Sequence, residues 1–143
     1  MGAWRGVLVG LGLAAALGAT ARAATVVAVD PGFAPVASAL VRVFADQTGH
    51  DLVLSVAPAP ALEQTRAGVL LAPDAELPAR LARSGQAAAE TLMTYATDPR
   101  AATPRDAVLL QPGLADPVAR AFLAFLLTPE AWDVIVAHGF GAH

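Results

Sequence analysis

The chain has 143 residues, 56% of them hydrophobic, with nine basic residues, twelve acidic ones and a formal net charge of −3. All nine bases are arginine, and no cysteine is present, so disulfides and thiolate metal sites are excluded. An acidic chain without basic clusters also argues against nucleic acid and anionic membrane as partners.

Residues 1–23 open with Arg5, continue with an apolar run from Val7 to Leu17 and close on Ala21-Arg22-Ala23. A basic start, a short apolar centre and a small-x-small end predict a secretory signal peptide, hence a periplasmic location. The competing reading is an uncleaved anchor, but the run is short and rich in Gly and Ala for a span. With no cysteine near the cleavage point, a lipoprotein is not expected. Removing residues 1–23 takes two arginines and no acid, leaving an acidic remainder (24–143) of single-domain size.

Thr25 to Val29 is a short β-branched apolar run, predicted as a buried strand, with Asp30-Pro31-Gly32 as a turn. From Phe33 to Gln47, Val36, Leu40, Val43 and Phe44 recur at helical spacing, and Gly49 closes the helix. Asp51 to Ala57 reads as a second strand broken by Pro58-Ala59-Pro60. Ala61 to Ala67 reads as a short helix ended by Gly68. Val69 to Ala72 is a third strand, followed by a helix over Asp74 to Arg83. Glu90 to Thr97 and Asp106 to Leu110 are predicted strands joined by a Pro-rich loop. Alternating strands and helices predict an α/β domain of three layers, α/β/α, around a mostly parallel sheet.

The last segment, Asp116 to Gly141, carries two helices with separate start signals. Asp116 and Thr128 suit N-caps, and Pro117 and Pro129 occupy first helical positions, where a missing N–H costs nothing. Val118, Phe122, Phe125 and Leu126 fall on one face; Trp132, Ile135, Val136 and Phe140 are expected to line a second. Gly139 suits a left-handed helix end.

The wording of this ending, FLAFLLTPEAWDVIVAHGFG, resembles the C-terminus of periplasmic solute-binding proteins, above all the molybdate-binding family with its "FLxFLxSPEAxxIxxxxGF" pattern. The opening, TVVAVDPGFAPVASALVRVFADQTGHDLVLSV, is similar to that family's first strand, helix and second strand. Leu71-Ala72-Pro73-Asp74 stands where the family often has "ISAD". The resemblance implies a single lobe of a periplasmic-binding-protein-like fold. Where the family inserts a second lobe, this chain has only the eight residues 98–105.

The resemblance also implies a function: the substrate-binding component of an ABC transporter, taking molybdate, tungstate, sulfate or a related oxyanion and delivering it to a permease. Such an anion is held by backbone N–H groups at helix starts and by hydroxyls. Strand alignment puts the ligand positions at Gly32 and Phe33 after the first strand and at Ala59 and Ala61 after the second. Here the family's serines are missing, and Pro31, Pro58 and Pro60 lack N–H donors. Asp30 would place a negative charge beside the anion; a turn-forming or capping role for it is the simpler expectation. The truncated, altered site leaves an alternative, a ligand-free interaction or remnant domain whose exposed face a homodimer or another protein would cover.

No enzyme chemistry is expected. Ser38, Ser55 and Ser84 sit in no nucleophile motif, and no phosphate-cradling glycine loop occurs. His50, His138 and His143 lack metal-ligand spacing; His50 and His138 are expected to meet terminal carbonyls of helices. Trp132 and Tyr95 are expected in or at the edge of the core. No cofactor and no metal are expected.

Overall fold

The computed structural model describes residues 24–141; the expected signal peptide, residues 1–23, lies outside them. The apolar run Thr25–Val29 forms β1, flanked in parallel by β2 (Leu52–Val56) and β3 (Val69–Leu71). With β4 (Met93–Thr97) and β5 (Pro104–Leu109) it builds a five-stranded sheet of order β2-β1-β3-β5-β4. Only β5 opposes its neighbours β3 and β4; the other four strands share one direction, so the sheet is mostly parallel, as expected.

Successive strand residues point to opposite faces, and each face carries its own core. Val27, Val29, Val69, Leu71, Ala107 and Leu109 pack on one side with α1 (Ala34–Thr48), α4 (Pro117–Phe125) and α5 (Pro129–Ala137). Ala28, Leu70 and Val108 point the other way, onto Leu62 of α2 (Ala59–Leu62) and Leu77 and Leu81 of α3 (Glu76–Arg83). The three-layer α/β/α architecture follows directly. Both central strands are buried on both faces, the usual state of parallel strands under helices.

The helix ends carry the anticipated chemistry. Gly49 after α1 and Gly139 after α5 have φ of 78° and 91°, the left-handed region where a side chain would be strained. Asp116 accepts from the Val118 N–H at 2.9 Å, and Thr128 accepts from the Ala131 N–H at 3.3 Å. The second carboxylate oxygen of Asp116 takes the Thr25 hydroxyl, tying the start of α4 to the start of β1.

Several local expectations shift. On α5 the buried stripe is Ala131 and Ile135, while Trp132 and Val136 are 38% and 56% exposed. Residues 131/135 and 132/136 are neighbouring stripes, one helical step apart. Hydropathy favours the second, but the close approach of α5 to α1 selects the small Ala131. The expected helix over Ala61 to Ala67 is the shorter α2. The strand expected from Glu90 starts at Met93, because Ala89–Thr91 forms a 3-10 turn. Thr91 stabilises that turn by donating to the Ala88 carbonyl at 2.7 Å and accepting from the Leu109 N–H at 2.9 Å. Pro104 and Arg105, expected in the loop 98–105, already belong to β5, leaving a tight connection in which the Asp98 N–H donates to the Thr103 carbonyl at 2.9 Å.

Gly68 closes no helix. Its backbone lies against Gly113 in a second 3-10 turn, Gln111–Gly113, and a Cβ at Gly113 would stand 2.5 Å from the Gly68 carbonyl oxygen. The contact lets the end of β5 turn back beside the start of β3, where the Leu110 N–H donates to the same carbonyl at 2.9 Å. Gly113→Ala should therefore force two backbones apart and cost about 1–3 kcal/mol. Thermal unfolding checks this; an unchanged Tm would refute the close approach.

Candidate functional site

In open α/β sheets a ligand crevice forms beyond the carboxyl ends of the parallel strands. Here β1 runs into Asp30, β3 into Pro73 and β4 into Asp98, while the opposed β5 brings Arg105 to the same end. With Gly32, Arg100, His138 and Phe140 these residues line a cleft of about 590 Å³.

The centre of the cleft is an ion pair. Arg105 is 4% and Asp30 8% exposed, and the Arg105 Nη2 donates to Asp30 Oδ1 in a short, charge-assisted bond. Arg105 Nε donates to the Tyr95 hydroxyl at 3.0 Å, and that hydroxyl donates to the Ala72 carbonyl at 2.9 Å. A β-bulge between Thr94 and Ala96 accompanies this geometry, placing Tyr95 beside Arg105 on the core face. Burial pushes the Tyr95 phenol well above its ordinary range, and neighbouring Arg105 only partly opposes the shift. The phenol therefore stays protonated and serves as both donor and acceptor.

Three rings enclose the guanidinium. Its carbon lies 4.9 Å from the Phe33 centroid, 5.5 Å from Phe140 and 5.8 Å from Tyr95, each within cation–π range. Phe33 in turn meets Tyr95 and Phe140 edge-on, with centroids 5.0 Å apart in both cases. Phe140 is held there by the chain's tail, where Thr97 and Gly141 exchange N–H···O bonds of 2.8 and 2.9 Å on the edge of β4.

The rim is more polar. Asp98 accepts from the N–H groups of Arg100 and Ala101 at 2.8 and 3.3 Å, and these bonds hold its carboxyl below the usual carboxylate range. His138 Nδ1 lies 2.8 Å from the Val134 carbonyl oxygen; an oxygen that only accepts makes Nδ1 the protonated nitrogen. This is the helix-end contact expected of that histidine.

The four positions expected to hold a ligand are spread across this end of the sheet. Gly32 lines the cleft. Phe33 does not line it: its ring is fully buried against the Arg105 guanidinium, and its N–H donates to the Asp30 carbonyl at 3.2 Å. Ala59 lines a separate depression beside the Glu63–Arg80 ion pair. Ala61 is exposed on α2, with its N–H spent on the Pro58 carbonyl at 2.9 Å. Asp30 departs from the capping role: Phe33 is the N-cap residue of α1 and makes no side-chain cap bond, while the Asp30 carboxylate turns inward to Arg105. Only its backbone carbonyl shapes the turn.

Sequence reasoning missed Arg105, whose partner lies 75 positions away. The available signal was indirect: a lone acid ending a buried apolar strand, and a lone base opening another. Among the described residues no group of histidines and acids is placed to hold a metal, and no helix is long and apolar enough to cross a membrane.

No family model and no curated protein matches the sequence. Solved structures do. A periplasmic molybdate-binding protein of Azotobacter vinelandii superposes with a TM-score of 0.74 at 15% identity, covering 83% of this chain and 99% of that one. The substrate-binding domain of a molybdenum ABC transporter from Clostridium difficile superposes with a TM-score of 0.76 at 5% identity, covering 83% and 98%. At such identities the likeness speaks for architecture. The chain has the fold of periplasmic molybdate-binding proteins, as the resemblance of its ending implied.

Proposed function

We propose that the chain is a periplasmic solute-binding lobe that takes a small oxyanion, molybdate, tungstate or sulfate, and presents it to an ABC permease. The observation that carries this reading is a buried guanidinium lining an open cleft at the carboxyl ends of the strands, in a fold shared with anion-binding transport proteins. Arg105 has five N–H donors in a fixed fork, of which Nε and Nη2 are engaged. Arg100 adds donors at the rim. Gly32 retains an N–H group that no protein acceptor takes among the described residues, and Phe33 supports the guanidinium from beneath, whereas Ala59 and Ala61 stand outside this cleft's lining.

The short connection between β4 and β5 opens at the same end, where the resemblance places a second lobe. In this reading residues 24–143 form one lobe, the segment 98–105 replaces the crossing into another, and residues 1–23 direct export. With one lobe the anion stays partly solvated. Since Asp30 and Asp98 offset Arg105 and Arg100 in the cleft, the binding is weak.

Thermal scans with each oxyanion test the proposal. For a dissociation constant of about 1 mM, 10 mM ligand adds about 1.4 kcal/mol of stability, a rise of a few degrees. The rise must saturate, because sulfate stabilises proteins generally by exclusion from their surface. A flat response to all three anions favours the second reading, a ligand-free interaction domain. One specific observation supports that reading: Asp30 already engages Arg105. It predicts a homodimer or a bound protein over the cleft face, read by light scattering.

A further inference from the structure

The carboxylate of Asp30 sits where a cleft ligand would meet Arg105, and we propose that it is a tethered anion: the chain fills its own receptor, and a free oxygen anion binds only by displacing it. The inference deepens the anion-binding reading of this cleft and rests on it.

Four observations converge. Arg105 is held as a receptor is held, its Nε fixed by a buried tyrosine and its faces covered by three rings. That cage fixes the guanidinium plane independently of Asp30. Both partners of the pair line an open cleft instead of being sealed beneath the sheet. The carboxylate is only half used: Oδ1 takes the guanidinium, and no hydrogen bond reaches Oδ2 among the described residues. Finally, Gly32 leaves the room this needs, since a Cβ there would stand 3.1 Å from Asp30 Oδ2. The turn after β1 thus lets the carboxylate fold back over its own backbone and onto the arginine.

A tethered carboxylate competes at a high effective concentration. Free anions therefore reach Arg105 poorly in the unaltered chain and well once the tether is cut. The chemical class admitted is a small oxygen anion, a carboxylate such as formate or a tetrahedral oxyanion of similar reach.

The test compares the unaltered protein with Asp30→Ala by thermal scanning and calorimetry in formate, sulfate and molybdate. Formate suits because it fits the space vacated by the aspartate side chain. Asp30→Ala is expected to bind formate at least tenfold more tightly than the unaltered protein, with a saturating rise in Tm. Asp30→Ala/Arg105→Met should lose that response. Equal responses in the unaltered protein and Asp30→Ala, a response only in the unaltered protein, or a response retained in the double variant would each overturn the tether. The unaltered protein's own response to molybdate and sulfate judges the transport reading separately. If Asp30→Ala does not fold in dilute buffer, formate should restore its far-UV circular dichroism, and failure to do so equally overturns the proposal.

Discussion

Arg105→Met should destabilise the fold by about 3–5 kcal/mol, the range for breaking a buried ion pair by removing one partner. The substitution leaves Asp30 as a buried carboxylate without its cation and takes a donor from the Tyr95 hydroxyl. It also removes the charge that faces Phe33, Phe140 and Tyr95. Methionine keeps much of the apolar volume, so the loss reports charge and hydrogen bonding more than cavity. Replacing both partners, as in Asp30→Leu/Arg105→Met, should recover much of the loss, since an apolar pair of similar volume strands no charge. Urea denaturation of the four proteins in a double-mutant cycle gives the coupling. A cost below about 1 kcal/mol for Arg105→Met, the level of an exposed pair, would mean that water shields these charges.

Phe33→Ala should cost a similar amount, about 3–5 kcal/mol, for a different reason. The ring is fully buried, and it meets Tyr95 and Phe140 edge-on beneath the guanidinium. Truncation opens a cavity whose walls are held by the sheet on one side and the chain's tail on the other, so little collapse is available. Phe33→Leu should recover a large share of the loss by refilling the space. Urea midpoints with an unchanged m-value would show that stability alone has moved. If instead Phe33→Ala left stability intact and altered only the response to oxyanions, the ring would belong to the ligand site and not to the core.

These two expectations share a consequence. The carboxyl end of the sheet is where this fold offers its cleft, yet here the same place carries part of the stability. A ligand that displaces Asp30 from Arg105 must replace the contact it breaks. On the proposed oxyanion-binding reading, this exchange makes binding weak, with or without a second lobe.

Much of the fold is legible in the sequence because the determinants are local. Short apolar runs, β-branched in β1, made β1 and β3, helical spacing of Val36, Leu40 and Phe44 made α1, and the caps Asp116 and Thr128 with their following prolines set the starts of α4 and α5. Positive φ at Gly49 and Gly139 marked their neighbours' ends. Each signal acts within a turn or two of the chain, so no knowledge of the rest is needed. The ending's wording added the fold itself, and the superposition on solved molybdate-binding structures agrees with it.

The site was legible only in outline. The expected ligand positions came from the resemblance, and of these Gly32 lines the cleft; Ala59 and Ala61 stand at the same end of the sheet but outside that cleft's lining. What the linear order hides is partnership. Whether α5 buries Ala131 or Trp132 depends on how closely it lies on α1, and whether Asp30 caps a helix or neutralises a charge depends on where β5 sets Arg105. Composition, periodicity and capping by themselves determined an α/β domain with helices on both faces of a mostly parallel sheet, and the resemblance added a single lobe with ligand positions after its first two strands. Only the tertiary structure decided that an aspartate and an arginine 75 residues apart close on each other there, because a buried charge must find its opposite through space and not along the chain.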